Sequence, residues 1–97
     1  MFELYWTGEA EKTFQLLKND ASQKKRYQAV KKAIEFLAND PRHNSLQTHE
    51  FVSLKGPDGE KVFEAYAEHK TPAAYRVFWY YGPSSGIITI FAITPHP

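Results

Sequence analysis

Between Thr71 and Pro97 the chain carries a single Asp, Glu, Lys or Arg, and it is Arg76. It stands in Ala74-Tyr75-Arg76-Val77-Phe78-Trp79-Tyr80-Tyr81, where β-branched and aromatic residues indicate a strand. Alternation with period two sets Tyr75, Val77, Trp79 and Tyr81 on one face and Arg76, Phe78 and Tyr80 on the other. A guanidinium keeps its charge and is costly to bury unpaired. Arg76 is therefore either a surface cation lying over its aromatic neighbours or a cation held for use. His96 follows an apolar run and lies between Pro95 and Pro97. It is either an imidazole aimed by the restrained backbone on both sides or the frayed end of a tail. Metal-free cleavage of RNA needs a group to take the 2′-hydroxyl proton, a cation for the charge developing on phosphorus, and an acid for the leaving oxygen. Arg76 could supply the cation, and Phe78 and Tyr80 could stack an unpaired base beside it.

Other chemistries find less support. No zinc, phosphate-loop or dinucleotide signature is present and no hydrolase triad, so neither a metal nor a cofactor is expected. His43, His49 and His69 lack ligand spacing and read as surface or interface residues. The absence of Cys removes disulfides, thiol catalysis and Cys-ligated zinc, with a reducing cytoplasm the expected location. Glu3, Glu9 and Glu11 do not suit the basic start of a signal peptide, and the apolar run Ile87 to Ile93 is too short to span a bilayer. A net charge of +1 predicts no general affinity for nucleic acid. The charge is uneven, however: Lys24, Lys25, Arg26, Lys31 and Lys32 share an acid-free segment. Such a run is a solvated helix face or a footprint for phosphate or an acidic partner.

The elements that must position these residues fit one domain over residues 1–97, whose 42% hydrophobic and 15% aromatic content excludes a disordered chain. Phe2 to Trp6 alternates as a first strand, with Phe2, Leu4 and Trp6 sharing a face. Thr7 is an N-cap for a helix with Glu9 and Glu11 in its first turn and Ala10, Phe14 and Leu17 on its apolar side. Ser22 caps a second helix to Asn39 with Tyr27, Val30, Ile34 and Leu37 as its stripe, and Asp40-Pro41 stops it. Strands are expected from Thr48 to Leu54 and Lys61 to His69, joined by the turn Gly56-Pro57-Asp58-Gly59. The Arg76 strand follows, then a turn from Gly82 to Gly86 and a last strand, Ile87 to Ile93, apolar on both faces and so interior to the sheet. The order is β-α-α-β-β-β. This predicts an α+β fold with a helical hairpin on one face of a mainly antiparallel sheet, the last two strands paired and Trp79 buried against the helices.

The order of these segments resembles the RelE/ParE toxin superfamily over nearly the whole chain. The resemblance rests on the first strand, a helical hairpin ending in Leu-Ala-Asn-Asp-Pro-Arg-His-Asn-Ser-Leu (37–46), then Ser-Leu-Lys-Gly (53–56), Tyr-Arg-Val-Phe-Trp (75–79) and Ile-Ile-Thr-Ile-Phe-Ala-Ile (87–93). It implies a small cytoplasmic toxin neutralised by an antitoxin protein, as a homodimer or a toxin–antitoxin hetero-oligomer. RelE, HigB and YoeB-like members cut messenger RNA in the ribosomal A site, whereas ParE-like members poison DNA gyrase. A third implied role is a module that only binds its antitoxin-like partner. By the resemblance, Arg76 falls on the strand arginine that stabilises the transition state of RNA cutting. Lys55 falls on the basic residue of the Leu-Lys-Gly motif, and His96 near the C-terminal His or Tyr acting as acid or base. Where YoeB-like members have a glutamate two residues before that motif, this chain has Val52. Phe63-Glu64-Ala65-Tyr66 stands where the ribonucleases tend to carry arginines. The reading that follows is a ribosome-dependent messenger RNA endonuclease whose RNA contacts include Phe78, Tyr80 and the lysine-rich helix.

Overall fold

The computed structural model describes residues 1–96; Pro97, half of the proline bracket around His96, lies outside the described residues. The chain runs β1 (Glu3–Trp6), α1 (Gly8–Asn19), α2 (Lys24–Asn39), β2 (His49–Lys55), β3 (Lys61–Tyr66), β4 (Tyr75–Tyr81) and β5 (Ile87–Pro95), with short 3₁₀ turns at Ala21–Gln23 and Asn44–Leu46. The strands form one sheet in the order β1-β5-β4-β3-β2. Only β1 with β5 is parallel; the other three pairings are antiparallel. The apolar β5 is thus flanked on both sides, as its composition requires, and β4 is the central strand.

Local signals set most boundaries. Thr7 caps α1 by accepting from the Ala10 amide at 3.1 Å, and its hydroxyl donates to the Phe91 carbonyl at 2.8 Å, fixing the helix to β5. The cap expected of Ser22 is not made. Asp20 takes both the Ser22 amide (3.0 Å) and its hydroxyl (2.7 Å), so Ser22 lies in a 3₁₀ turn and α2 begins at Lys24. The strand expected to reach His69 ends at Tyr66, because the amides of Ala67 and Glu68 both turn to the Tyr75 carbonyl.

The main core lies between the helices and the sheet, where Leu17, Val30, Ile34 and Leu37 meet Val77, Trp79, Ile88 and Ile90. Trp79 is fully buried and stacks on Phe63 with ring centroids 5.0 Å apart. A smaller cluster on the opposite face joins Val62, Phe78 and Tyr80 to Phe51, Phe91 and Ala92. One irregularity decides how β5 divides between them. Trp79 pairs with Ile90 but Phe78 with Ala92, so Phe91 is an extra residue in the ladder. Before this bulge the even-numbered Ile88 and Ile90 face the helices. After it Ile93 does, and Ala92 turns to the other face. A one-residue shift exchanges faces for everything downstream, including Thr94 opposite Arg76.

Candidate active site on the face opposite the helices

Continued past the bulge, the same alternation brings His96 to the face that carries Arg76. The His96 amide donates to the Ala74 carbonyl at 2.9 Å, extending the pairing by one step beyond β5. Its imidazole meets an acid that lies between apolar strand residues. Glu64, in β3, is fully buried, and its Oε2 lies 2.6 Å from His96 Nδ1. On the other side His49, at the start of β2, is the register partner of Glu64 and sets its Nε2 2.8 Å from Oε1. That contact is short but not aligned as a hydrogen bond, so Oε1 is left without a hydrogen-bond partner among the described residues.

Arg76 completes the cluster. Its guanidinium lies over the ring of its register partner Tyr66, 3.7 Å from the centroid, and Nη1 donates to the Glu68 carbonyl at 2.6 Å. Its Nε is 3.9 Å from Glu64 Oε2 and has no hydrogen-bond partner among the described residues. Arg76 is only 6% exposed, so it is not the surface cation that the sequence also allowed. It is balanced by a buried carboxylate and stacked on an aromatic ring, which is how a charge is kept out of water at tolerable cost.

Glu68 fixes the approach to this cluster. Its Oε1 accepts from Arg26 Nε at 2.8 Å and from the Tyr75 amide at 3.0 Å, so α2 is clamped to the loop that precedes β4. Arg26 also lies over the Tyr75 ring at 4.5 Å. It is thus part of the scaffold, unlike Lys24, Lys25, Lys31 and Lys32, which remain exposed on α2. A shallow groove lined by Lys32, Phe36, Ser45, Tyr66 and His69 joins that helix to the end of β3.

Three expectations are altered by this geometry. Lys55 is six residues along β2 from His49, roughly 20 Å at strand rise, and pairs with Lys61 beside the turn; its amine faces Glu50 at 3.7 Å. It is not brought to Arg76. Phe78 and Tyr80 share the face of Arg76 but are 2% and 7% exposed, because Phe51 from β2 and Phe91 from β5 pack edge-on against them. Their rings are core and offer no free face for a base. The sequence marks neither Glu64 nor His49 as a site residue, and His49 reads there as a surface or interface histidine. The legible signal was Val62-Phe63-Glu64-Ala65-Tyr66, where alternation sets a carboxylate between apolar residues of one face. Among the described residues no group of three His, Cys, Asp or Glu is placed to hold a metal ion, and no helix is long and apolar enough to cross a membrane.

No protein-family model matches the chain, and no curated protein sequence does. Solved structures do. A YoeB/ParE toxin from Agrobacterium tumefaciens superposes with a TM-score of 0.71 at 13% identity, covering 98% of this chain and 99% of that one. The archaeal RelE in the RelE-RelB complex from Pyrococcus horikoshii OT3 gives 0.64 at 15% identity, covering 97% and 93%. The YoeB dimer from Staphylococcus aureus also gives 0.64, at 12% identity, covering 99% and 98%. With two helices on one face of a five-stranded sheet, matched over nearly its whole length by three such proteins, the chain has the fold of the RelE/ParE toxin superfamily.

Proposed function

We propose that this protein is a toxin that cuts messenger RNA on the ribosome and is held in check by a protein antitoxin. The observation that carries the reading is the buried Glu64 carboxylate with His96 on one oxygen and Arg76 beside it, on the sheet face opposite the helices. With its Nδ1–H donated to the Glu64 carboxylate in a hydrogen bond, the His96 ring has Nε2 available to take the proton of a 2′-hydroxyl. The freed oxygen attacks phosphorus and the bond to the 5′ oxygen breaks, leaving a 2′,3′-cyclic phosphate. Arg76, oriented by the Glu68 carbonyl and the Tyr66 ring, meets the negative charge that builds up on the nonbridging oxygens. An interaction that strengthens as the charge develops accelerates the step rather than tightening substrate binding.

The exposed lysines of α2 are available for phosphates of the ribosome and message or for an acidic antitoxin segment. Two of the solved neighbours are described as a RelE-RelB complex and as a YoeB dimer, which supports an antitoxin partner and a dimeric form here. The site of action is then the cytoplasm, where ribosomes are met. Primer extension on messages from cells induced for this chain is the test, with in-frame cuts inside translated codons expected. Cleaved DNA trapped on gyrase would favour a ParE-like inhibitor instead. Normal growth with neither effect would leave a protein that only binds its antitoxin-like partner.

A further inference from the structure

Cleavage by a 2′-hydroxyl needs a second proton carrier besides His96, and the neighbours of Arg76 narrow the choice. Glu64 is fully buried and cannot touch a substrate. Tyr66 lies with its ring face under the guanidinium at 3.7 Å, and Lys55 is at the far end of β2. His49 differs from all three, being half exposed and directly across the ladder from Glu64. We propose that His49 is the general acid that protonates the leaving 5′ oxygen, and that Glu64 is the positioning residue shared by both imidazoles. This rests on the ribonuclease reading above.

The two rings are held in complementary ways. Both nitrogens of His49 face acceptors: Nδ1 the Gln47 carbonyl at 3.0 Å, and Nε2 the Glu64 carboxylate at 2.8 Å. A doubly protonated ring presents an N–H toward each of these oxygens, whereas a neutral ring presents only one. Because the Nε2 contact is off-line and Oε1 lacks a hydrogen-bond partner among the described residues, a proton on Nε2 is not locked to the carboxylate. His96 touches Glu64 through Nδ1 alone; with the proton on that nitrogen, Nε2 is the acceptor. The remaining charged or titratable groups against the pair are Arg76, Tyr66 at the edge of His49, and His69 beside Tyr66.

The step then balances. His96 Nε2 takes the 2′-hydroxyl proton and the 2′ oxygen bonds to phosphorus. The phosphorus–O5′ bond breaks with its electron pair on oxygen, and His49 gives that oxygen its Nε2 proton. The positive ring passes from His49 to His96 while Glu64 stays ionised. One buried carboxylate keeps one imidazolium beside it throughout, so the transfer leaves no charge stranded without a partner.

The test compares two ribosome-bound messages, one ordinary and one with sulfur replacing the leaving 5′ oxygen at the mapped cut site. Thiolate departs without help from an acid. His49→Gln should cut the ordinary message roughly a hundred- to ten-thousandfold more slowly than wild type and the sulfur message at the wild-type rate. His96→Gln should be slow on both. His49→Asn repeats the measurement if the longer amide disturbs the start of β2. A His49 variant that is equally impaired on both messages, or on neither, overturns the assignment while the ribonuclease reading survives. A wild-type protein that leaves both messages uncut brings down the ribonuclease reading, and this assignment with it.

Discussion

The central strand β4 presents two faces that bury opposite kinds of side chain. Toward the helices Val77 and Trp79 are fully buried in a cluster of aliphatic and aromatic residues from both helices and from other strands of the sheet. Toward the other face Arg76 is nearly as enclosed, yet it lies against a carboxylate, a tyrosine ring and a backbone carbonyl. Apolar burial is non-directional and spreads over many contacts, so the helix face is held by area. A buried charge has to be met by specific partners at specific distances, and for the Glu64 carboxylate β2, β4 and the residue after β5 each supply one. Substitutions on the first face should therefore act on stability, and those on the second mainly on chemistry.

The largest effect is expected on the helix face. Trp79→Ala should lose about 3–5 kcal/mol of stability, read as a large fall in the thermal midpoint. Trp79→Phe sharpens the point: the indole N–H is buried without a hydrogen-bond partner among the described residues, so losing it should cost far less than losing the ring area. A Trp79→Ala protein that melts like its parent would show that area does not hold this face.

On the other face, Arg76→Ala should slow cutting of a ribosome-bound message by roughly a hundred- to a thousandfold, measured at a temperature where both proteins are folded. Because the guanidinium is buried against Glu64, this variant should also melt below wild type, and Arg76→Lys should fall between the two in activity. Undiminished cutting by Arg76→Ala would reduce the arginine to a packing role.

Arg26 joins the two regions, since Glu68 receives both its Nε and, through its carbonyl, Nη1 of Arg76. Arg26→Ala should cost about 1–2 kcal/mol, from one charged hydrogen bond and one cation–π contact. It should also loosen the loop before β4, so cutting should fall along with stability. Full activity at reduced stability would show that Arg76 does not depend on this clamp.

The smallest effect concerns acid. The Ser22 hydroxyl, and after it the Ser22 amide, hold the Asp20 carboxyl below its ordinary value. A group lowered in the folded state contributes stability above its unfolded pKa of about 3.9 and loses it as pH falls through the folded value. Asp20→Ala should thus melt slightly below wild type at neutral pH, with the gap closing in strong acid. A gap independent of pH would assign the loss to something other than this carboxylate, which is exposed.

Much of the scaffold was legible along the chain. Thr7 ahead of two glutamates starts α1, Asp40 before Pro41 ends α2, and unbroken alternation in β4 assigns each of its residues to a face. Trp79 belongs to the core and Arg76 to the other face for that reason alone. The candidate site was legible only in part. Arg76 and His96 stand out as ionisable groups in an apolar stretch, but Glu64 and His49 look ordinary in their own segments, and Lys55 carries its assignment through resemblance alone.

By itself the sequence determined the elements, the Thr7 cap and the faces of β4, because these follow from side-chain size, backbone preference and short-range alternation. Tertiary structure alone decided which ionisable groups meet. The extra residue at Phe91 shifts the phase of β5 and turns His96 toward Glu64, and the register of β2 on β3 sets His49 directly opposite the same carboxylate. It also covered Phe78 and Tyr80 with Phe51 and Phe91, and drew Arg26 inward to Glu68. Pairing between strands distant along the chain is fixed by how whole faces pack, so a one-residue shift that no local pattern records can relocate every side chain beyond it.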